Sequence, residues 1–126
     1  FGMLGITIDT VAIPKLAGAI EFGVSTMDQE RLIAAAFAPY DLEKYGALIL
    51  ACTHYPLAAA SFRRVLGDVP FFNPAEAVAL RTKQQLWPRE VGDGVLRFLV
   101  SRDTPQFRAQ VANILPDAVY TIEVLD

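Results

Sequence analysis

One cysteine, one histidine and one tryptophan are all that these 126 residues provide. The lone Cys52 excludes an internal disulfide and suits a reducing, cytoplasmic setting. Cys52 and His54 have no second cysteine or histidine to complete a structural zinc site, so no metal is expected. Positive charge is also scarce. Eleven Lys and Arg stand against fourteen Asp and Glu, for a net charge of −3, and the basic residues are scattered. This argues against a nucleic-acid groove and against a polybasic membrane patch. The most apolar stretch, residues 47–62, is broken by His54 and Pro56. It is shorter than the roughly 20 residues that span a bilayer, and no signal peptide is visible. Glycine-rich phosphate loops, internal repeats and low-complexity tracts are missing as well.

What the chain does have is an apolar majority, 53% of its residues, enough for one compact domain over residues 1–126. It begins at Phe1 without an initiator methionine, which suits a piece of something longer. Strand and helix signals alternate along it. Strands are expected over residues 4–8, 47–52, 69–72, 95–100 and 119–125. Helices are expected over 14–22, ended by Gly23, and over 27–37, capped by Ser25 or Thr26 and stopped by Pro39. A further helix over 56–66 buries Leu57, Phe62, Val65 and Leu66 and ends at Gly67. Asn73-Pro74-Ala75-Glu76 has the spacing of a capping box and opens a helix to about residue 86. Residues 87–94 break regular structure, and a last helix over 105–115 carries Phe107, Val111 and Leu115 on one face. This alternation predicts an α/β fold, a parallel sheet with flanking helices.

Functional loops gather at the carboxyl ends of parallel strands. Asp9 and Thr10, Cys52 and Thr53, and Asn73 fall at such ends. Cys52 is the most informative of these, because Pro56 suits a first helical turn and Thr53 or His54 is placed to cap it. A thiol facing the free amides of a helix start is favoured as thiolate, and the same amides attract an anionic substrate. The bland reading is a small buried hydrophobe. His54, two residues on, favours chemistry, while Tyr55 reads as packing. A cysteine hydrolase is disfavoured, because no Asn or Asp is spaced to orient His54.

Leu50-Ala51-Cys52-Thr53-His54-Tyr55-Pro56-Leu57 resembles the second-cysteine motif of the cofactor-independent glutamate racemases, within the broader aspartate/glutamate racemase group. Pro14, followed seven residues later by Glu21, and the run Asn73-Pro74-Ala75-Glu76-Ala77-Val78-Ala79 are similar to two further segments of that family. Ile13 stands where the family often has cysteine, and Asn73 where aspartate is common. The resemblance implies the second half of a two-lobed fold, with the first lobe and its cysteine absent. It implies racemisation of glutamate or aspartate without metal or pyridoxal phosphate, supplying D-glutamate for peptidoglycan. Cys52 then acts as base in one direction and acid in the other, His54 assists it, Glu21 orients or charge-stabilises His54, and Thr53 and Asn73 bind substrate. The rival expectation is an inactive module of the same fold that binds a partner or itself. Under either reading an uncovered lobe tends to form homo-oligomers.

Overall fold

Local signals place most of the element boundaries. The computed structural model describes residues 5–86 and 95–125. Leu4 and the break expected over residues 87–94 lie outside the described residues. The chain divides into two compact units, Phe1–Ala75 and Glu76–Asp126.

In the first unit, α1 (Leu16–Glu21) and α2 (Thr26–Phe37) are followed by strand β1 (Leu48–Ile49), a 3-10 turn (Tyr55–Ala58), helix α3 (Ala59–Leu66) and strand β2 (Phe71–Phe72). Lys15 opens α1 with φ 70°, a left-handed conformation that costs an L-residue about 1–2 kcal/mol. Gly23, also left-handed at φ 67°, releases the chain after α1 without that penalty. Ser25 caps α2 as expected, its hydroxyl oxygen accepting from the Asp28 amide at 3.2 Å. β1 and β2 are parallel, with Leu48 opposite Phe71 and Ile49 opposite Phe72. Parallel strands need a crossover, and the 3-10 turn with α3 supplies it.

Leu16, Ile20, Ile33, Phe37, Leu50 and Phe62 form the centre of this unit's core. Each such side chain contributes about 1.5–3 kcal/mol by leaving water. Arg64 of α3 reaches Glu30 of α2 and also donates to the buried Ser61 hydroxyl, so the polar groups at the edge of that helix contact are paired.

Two expectations fail here. No strand forms over residues 5–8, where Ile6 and Ile8 are each 51% exposed. Their β propensity is a preference for a pleated, half-buried surface, and without a neighbouring strand it has nothing to act on. Leu57 is 56% exposed rather than buried. Residues 55–58 wind as a 3-10 turn of three residues per turn, which rotates Leu57 away from the face that α-helical spacing assigned to it.

In the second unit, α4 (Ala75–Leu86) leads the chain to β3 (Leu96–Val100), α5 (Pro105–Ile114) and β4 (Tyr120–Val124). β3 and β4 pair in parallel from Leu96 opposite Tyr120 to Val100 opposite Val124. Thr104 caps α5 by accepting from the Phe107 amide at 3.1 Å, and Pro105 takes the first turn, where its missing N–H is harmless. Phe98 of β3 sits edge-on to both Phe107 and Tyr120, at 5.5 and 5.3 Å between ring centres. That cluster seats α5 on the strand pair. Leu115 falls just beyond the end of α5 and is 40% exposed, so the apolar face stops at Val111. The fold is α/β with parallel strands joined by helical crossovers, as the alternation predicts.

Candidate functional site

The site begins where β1 ends. The Leu50 amide donates to the Phe72 carbonyl at 3.0 Å, the last backbone tie between the two strands, and the chain then turns through Ala51 and Cys52. Cys52 is a half-buried free thiol. The Tyr55 amide donates back to the Cys52 carbonyl at 3.1 Å, and the Leu57 amide to the His54 carbonyl at 3.0 Å. These bonds wind residues 52–58 tightly and present Thr53 and His54 on the outside of the turn.

Pro56 opens this 3-10 turn rather than an α-helix, and α3 starts only at Ala59. Neither the 3-10 turn nor α3 receives a side-chain cap, so the capping expected of Thr53 or His54 does not occur. The two side chains are instead turned toward each other, and the His54 ring also faces α1. Thr53 Oγ1 lies 3.4 Å from His54 Nδ1, and His54 Nε2 lies 3.6 Å from Glu21 Oε2. The imidazole stands between a hydroxyl and a carboxylate. With Nε2 facing the carboxylate, a neutral ring carries its proton there and leaves Nδ1 to accept from the Thr53 hydroxyl.

Glu21 is the last residue of α1, and the left-handed Lys15 together with Pro14 sets the direction in which that short helix leaves. The carboxylate is 54% exposed and the imidazole 35%. The contact is therefore a partly wet one that orients the ring more than it stabilises the fold.

Asn73 lies just past the end of β2, at the same end of the strand pair as Cys52. Its side-chain oxygen accepts from the Ala75 amide at 3.0 Å, which starts α4. The structure thus brings Cys52, Thr53, His54 and Glu21 into one neighbourhood and holds Asn73 at the mouth of a helix. Among the described residues no three His, Cys, Asp or Glu side chains gather as metal ligands. An open concavity of about 410 Å³, lined by Arg63, Asp68, Val69 and Phe71 among others, includes none of these residues.

Two tyrosines of the first unit have perturbed ionisations: Tyr45, which sequence reasoning left out, and Tyr55, which it read as packing. Tyr45 donates its hydroxyl to Asp9 Oδ2 at 2.6 Å, and that bond holds its pKa above the ordinary 10.0. The partners lie far apart in sequence, and no local pattern foretells the pair. Tyr55 is also raised, first by burial and then by the negative charge of the Cys52 thiolate, with the Ile13 backbone amide opposing. A raised phenol favours the folded state in its neutral form. The contribution is complete below pH 10 and is lost as pH climbs through the folded-state value. Asp9→Asn is expected to return the Tyr45 ionisation toward pH 10, read by tyrosinate absorbance; an unchanged titration would show that the bond does not persist in solution.

The chain is similar to glutamate racemases. Glutamate racemase of Brucella anthropi is 41% identical to it over 69 residues, 51% of this chain and 25% of that protein. Glutamate racemase 3 of Caldanaerobacter subterraneus subsp. tengcongensis is 28% identical over 131 residues, 96% of this chain and 48% of that protein. A solved glutamate racemase isoform from Bacillus anthracis superposes with a TM-score of 0.76 at 25% identity, covering 96% of this chain and 47% of the other. The chain spans a quarter to about half of the length of the proteins it matches. No family model matches it.

Proposed function

We propose that this relative of the glutamate racemases is the carboxy-terminal part of such an enzyme, carrying the second of its two acid–base cysteines. The observation that supports this most is the His54–Glu21 contact beside the half-buried Cys52 thiol. A racemase removes the α-hydrogen from one face of an amino acid and returns a proton to the other, so it needs a base and an acid on opposite sides. Cys52 supplies one face. As thiolate it takes the α-hydrogen as a proton, the electron pair staying on the α-carbon and its carboxylate. As thiol it returns a proton when the reaction runs backward. His54, oriented by Glu21, accepts or shares charge next to the sulfur, and the Thr53 hydroxyl is placed to bind a substrate amino or carboxylate group.

The substrate proposed is glutamate, on the printed names of the relatives, with aspartate the nearest competitor. The product would serve peptidoglycan synthesis in the cytoplasm, where a free thiol stays reduced. Asn73 is proposed to offer its amide N–H groups to substrate, since its oxygen is engaged by Ala75. The exposed apolar side chains of the first unit, Phe22 at 68% and Phe72 at 67% among them, would be covered by the first lobe or by a second copy.

Cys52 is the only thiol, so a mass shift on alkylation reports it alone. Glutamate at high concentration is expected to slow iodoacetamide labelling of this chain. Equal rates with and without glutamate would contradict the reading.

A further inference from the structure

We propose that Tyr55 is a positioning residue for the thiol, a strut whose ring is fixed in the core and whose polar end sets the turn bearing Cys52 against the segment that leads into α1. The inference deepens the acid–base role given to Cys52 and rests on it for its functional meaning, though the positioning itself is testable without any substrate.

Three contacts define the strut. At the backbone, the Tyr55 amide closes the turn by donating to the Cys52 carbonyl at 3.1 Å. At the ring, Tyr55 packs tilted on Phe62 with centres 5.5 Å apart, and Phe62, 1% exposed, packs in turn on Phe71 of β2 at 6.2 Å. A row of three aromatic side chains thus runs from the second strand through α3 to the turn, and each ring is stiff in two torsions. On its other side the segment before α1 closes in. Ile13 is buried in the same core and Tyr55 packs against it, while the Ile13 carbonyl accepts from the Leu16 amide at 3.3 Å to start α1. α1 ends at Glu21, the residue that meets His54. Tyr55 therefore joins the turn with Cys52 and His54 to the segment that leads into the helix ending at Glu21.

The phenol end is polar where it needs to be. It feels the Cys52 charge and faces the Ile13 amide. The titratable group that acts on it is Cys52, and Phe62 and Phe71 bring no charge. Replacing the hydroxyl by hydrogen takes the phenol oxygen away from the turn that bears Cys52. It also removes the polar contact that registers the turn on Ile13, while the ring stack stays intact.

The test uses this chain with Tyr55→Phe and, separately, Cys52→Ser. Cys52 alkylation is followed against pH with iodoacetamide, and the single His54 ring is followed by NMR over the same range. Tyr55→Phe is expected to keep the thermal midpoint while raising the Cys52 alkylation rate by about twofold or more across that range, because a turn no longer registered on Ile13 exposes the half-buried thiol. Cys52→Ser, by removing the thiolate, is expected to lower one component of the tyrosinate titration toward pH 10, a readout that does not depend on how well Tyr55→Phe folds. Superimposable alkylation profiles for parent and Tyr55→Phe would overturn the proposal and leave Tyr55 as packing, and so would a tyrosinate titration unmoved by Cys52→Ser. If the profiles move yet glutamate never protects Cys52, the positioning stands and the acid–base role fails.

Discussion

Phe62→Ala is expected to destabilise the first unit by about 3–5 kcal/mol, the range for emptying a fully buried phenylalanine site. Phe62 is 1% exposed and is flanked by Tyr55 and Phe71, so its loss opens a cavity between two rings that cannot both move into it. Domains of this size are stable by only about 5–15 kcal/mol, so the variant loses a large part of its margin. Urea unfolding followed by near-ultraviolet ellipticity, which reports the aromatic cluster, is expected to show an early transition. The same cluster carries the turn of Cys52, so the thiol should become more reactive toward alkylation in the variant before global unfolding. A shift under about 1 kcal/mol would mean that the core centred on Phe62 is not the one described here.

The second large effect belongs to the chemistry. Cys52→Ser replaces an ionisable thiol by a hydroxyl that stays protonated at neutral pH, with almost no change in shape. Positioned acid–base groups contribute about 10²–10⁴-fold, and that is the loss expected in exchange of the glutamate α-hydrogen with solvent. Glu21→Gln is a milder change, because Gln keeps the contact with His54 and loses the charge. The contrast matters for interpretation: if the serine variant exchanges as fast as the parent, the sulfur is not the base, whatever the state of His54.

Much of this was legible in the chain because its signals are local. Ser25, Gly23 and Gly67 sit where helix ends require them, and the structure uses each at the expected boundary. Glu21 and His54 come within 3.6 Å of each other across an interval that no periodicity connects. The misses share a cause, which is dependence on something beyond the segment. Residues 5–8 have the composition of a strand but no neighbour to pair with. Leu57 has the spacing of a buried helical residue, yet Pro56 and the two backbone bonds of the turn wind it as a 3-10 segment. The expected cap from Thr53 or His54 does not form; the Thr53 hydroxyl faces His54 instead, and the imidazole faces Glu21. The Tyr45–Asp9 bond and the Tyr55 stack on Phe62 are tertiary contacts that residue types alone do not announce.

The central claim is that Cys52 trades a proton with the α-carbon of a small acidic amino acid from one side only. Proton NMR of L-glutamate incubated with this chain in deuterium oxide measures that exchange directly, and a chiral separation of the same sample reads the stereochemistry. A single acid–base group predicts slow gain of α-deuterium with the L configuration retained, abolished by Cys52→Ser. No deuterium above the buffer control, from a chain shown to be folded, would contradict the account, and so would ordinary accumulation of D-glutamate.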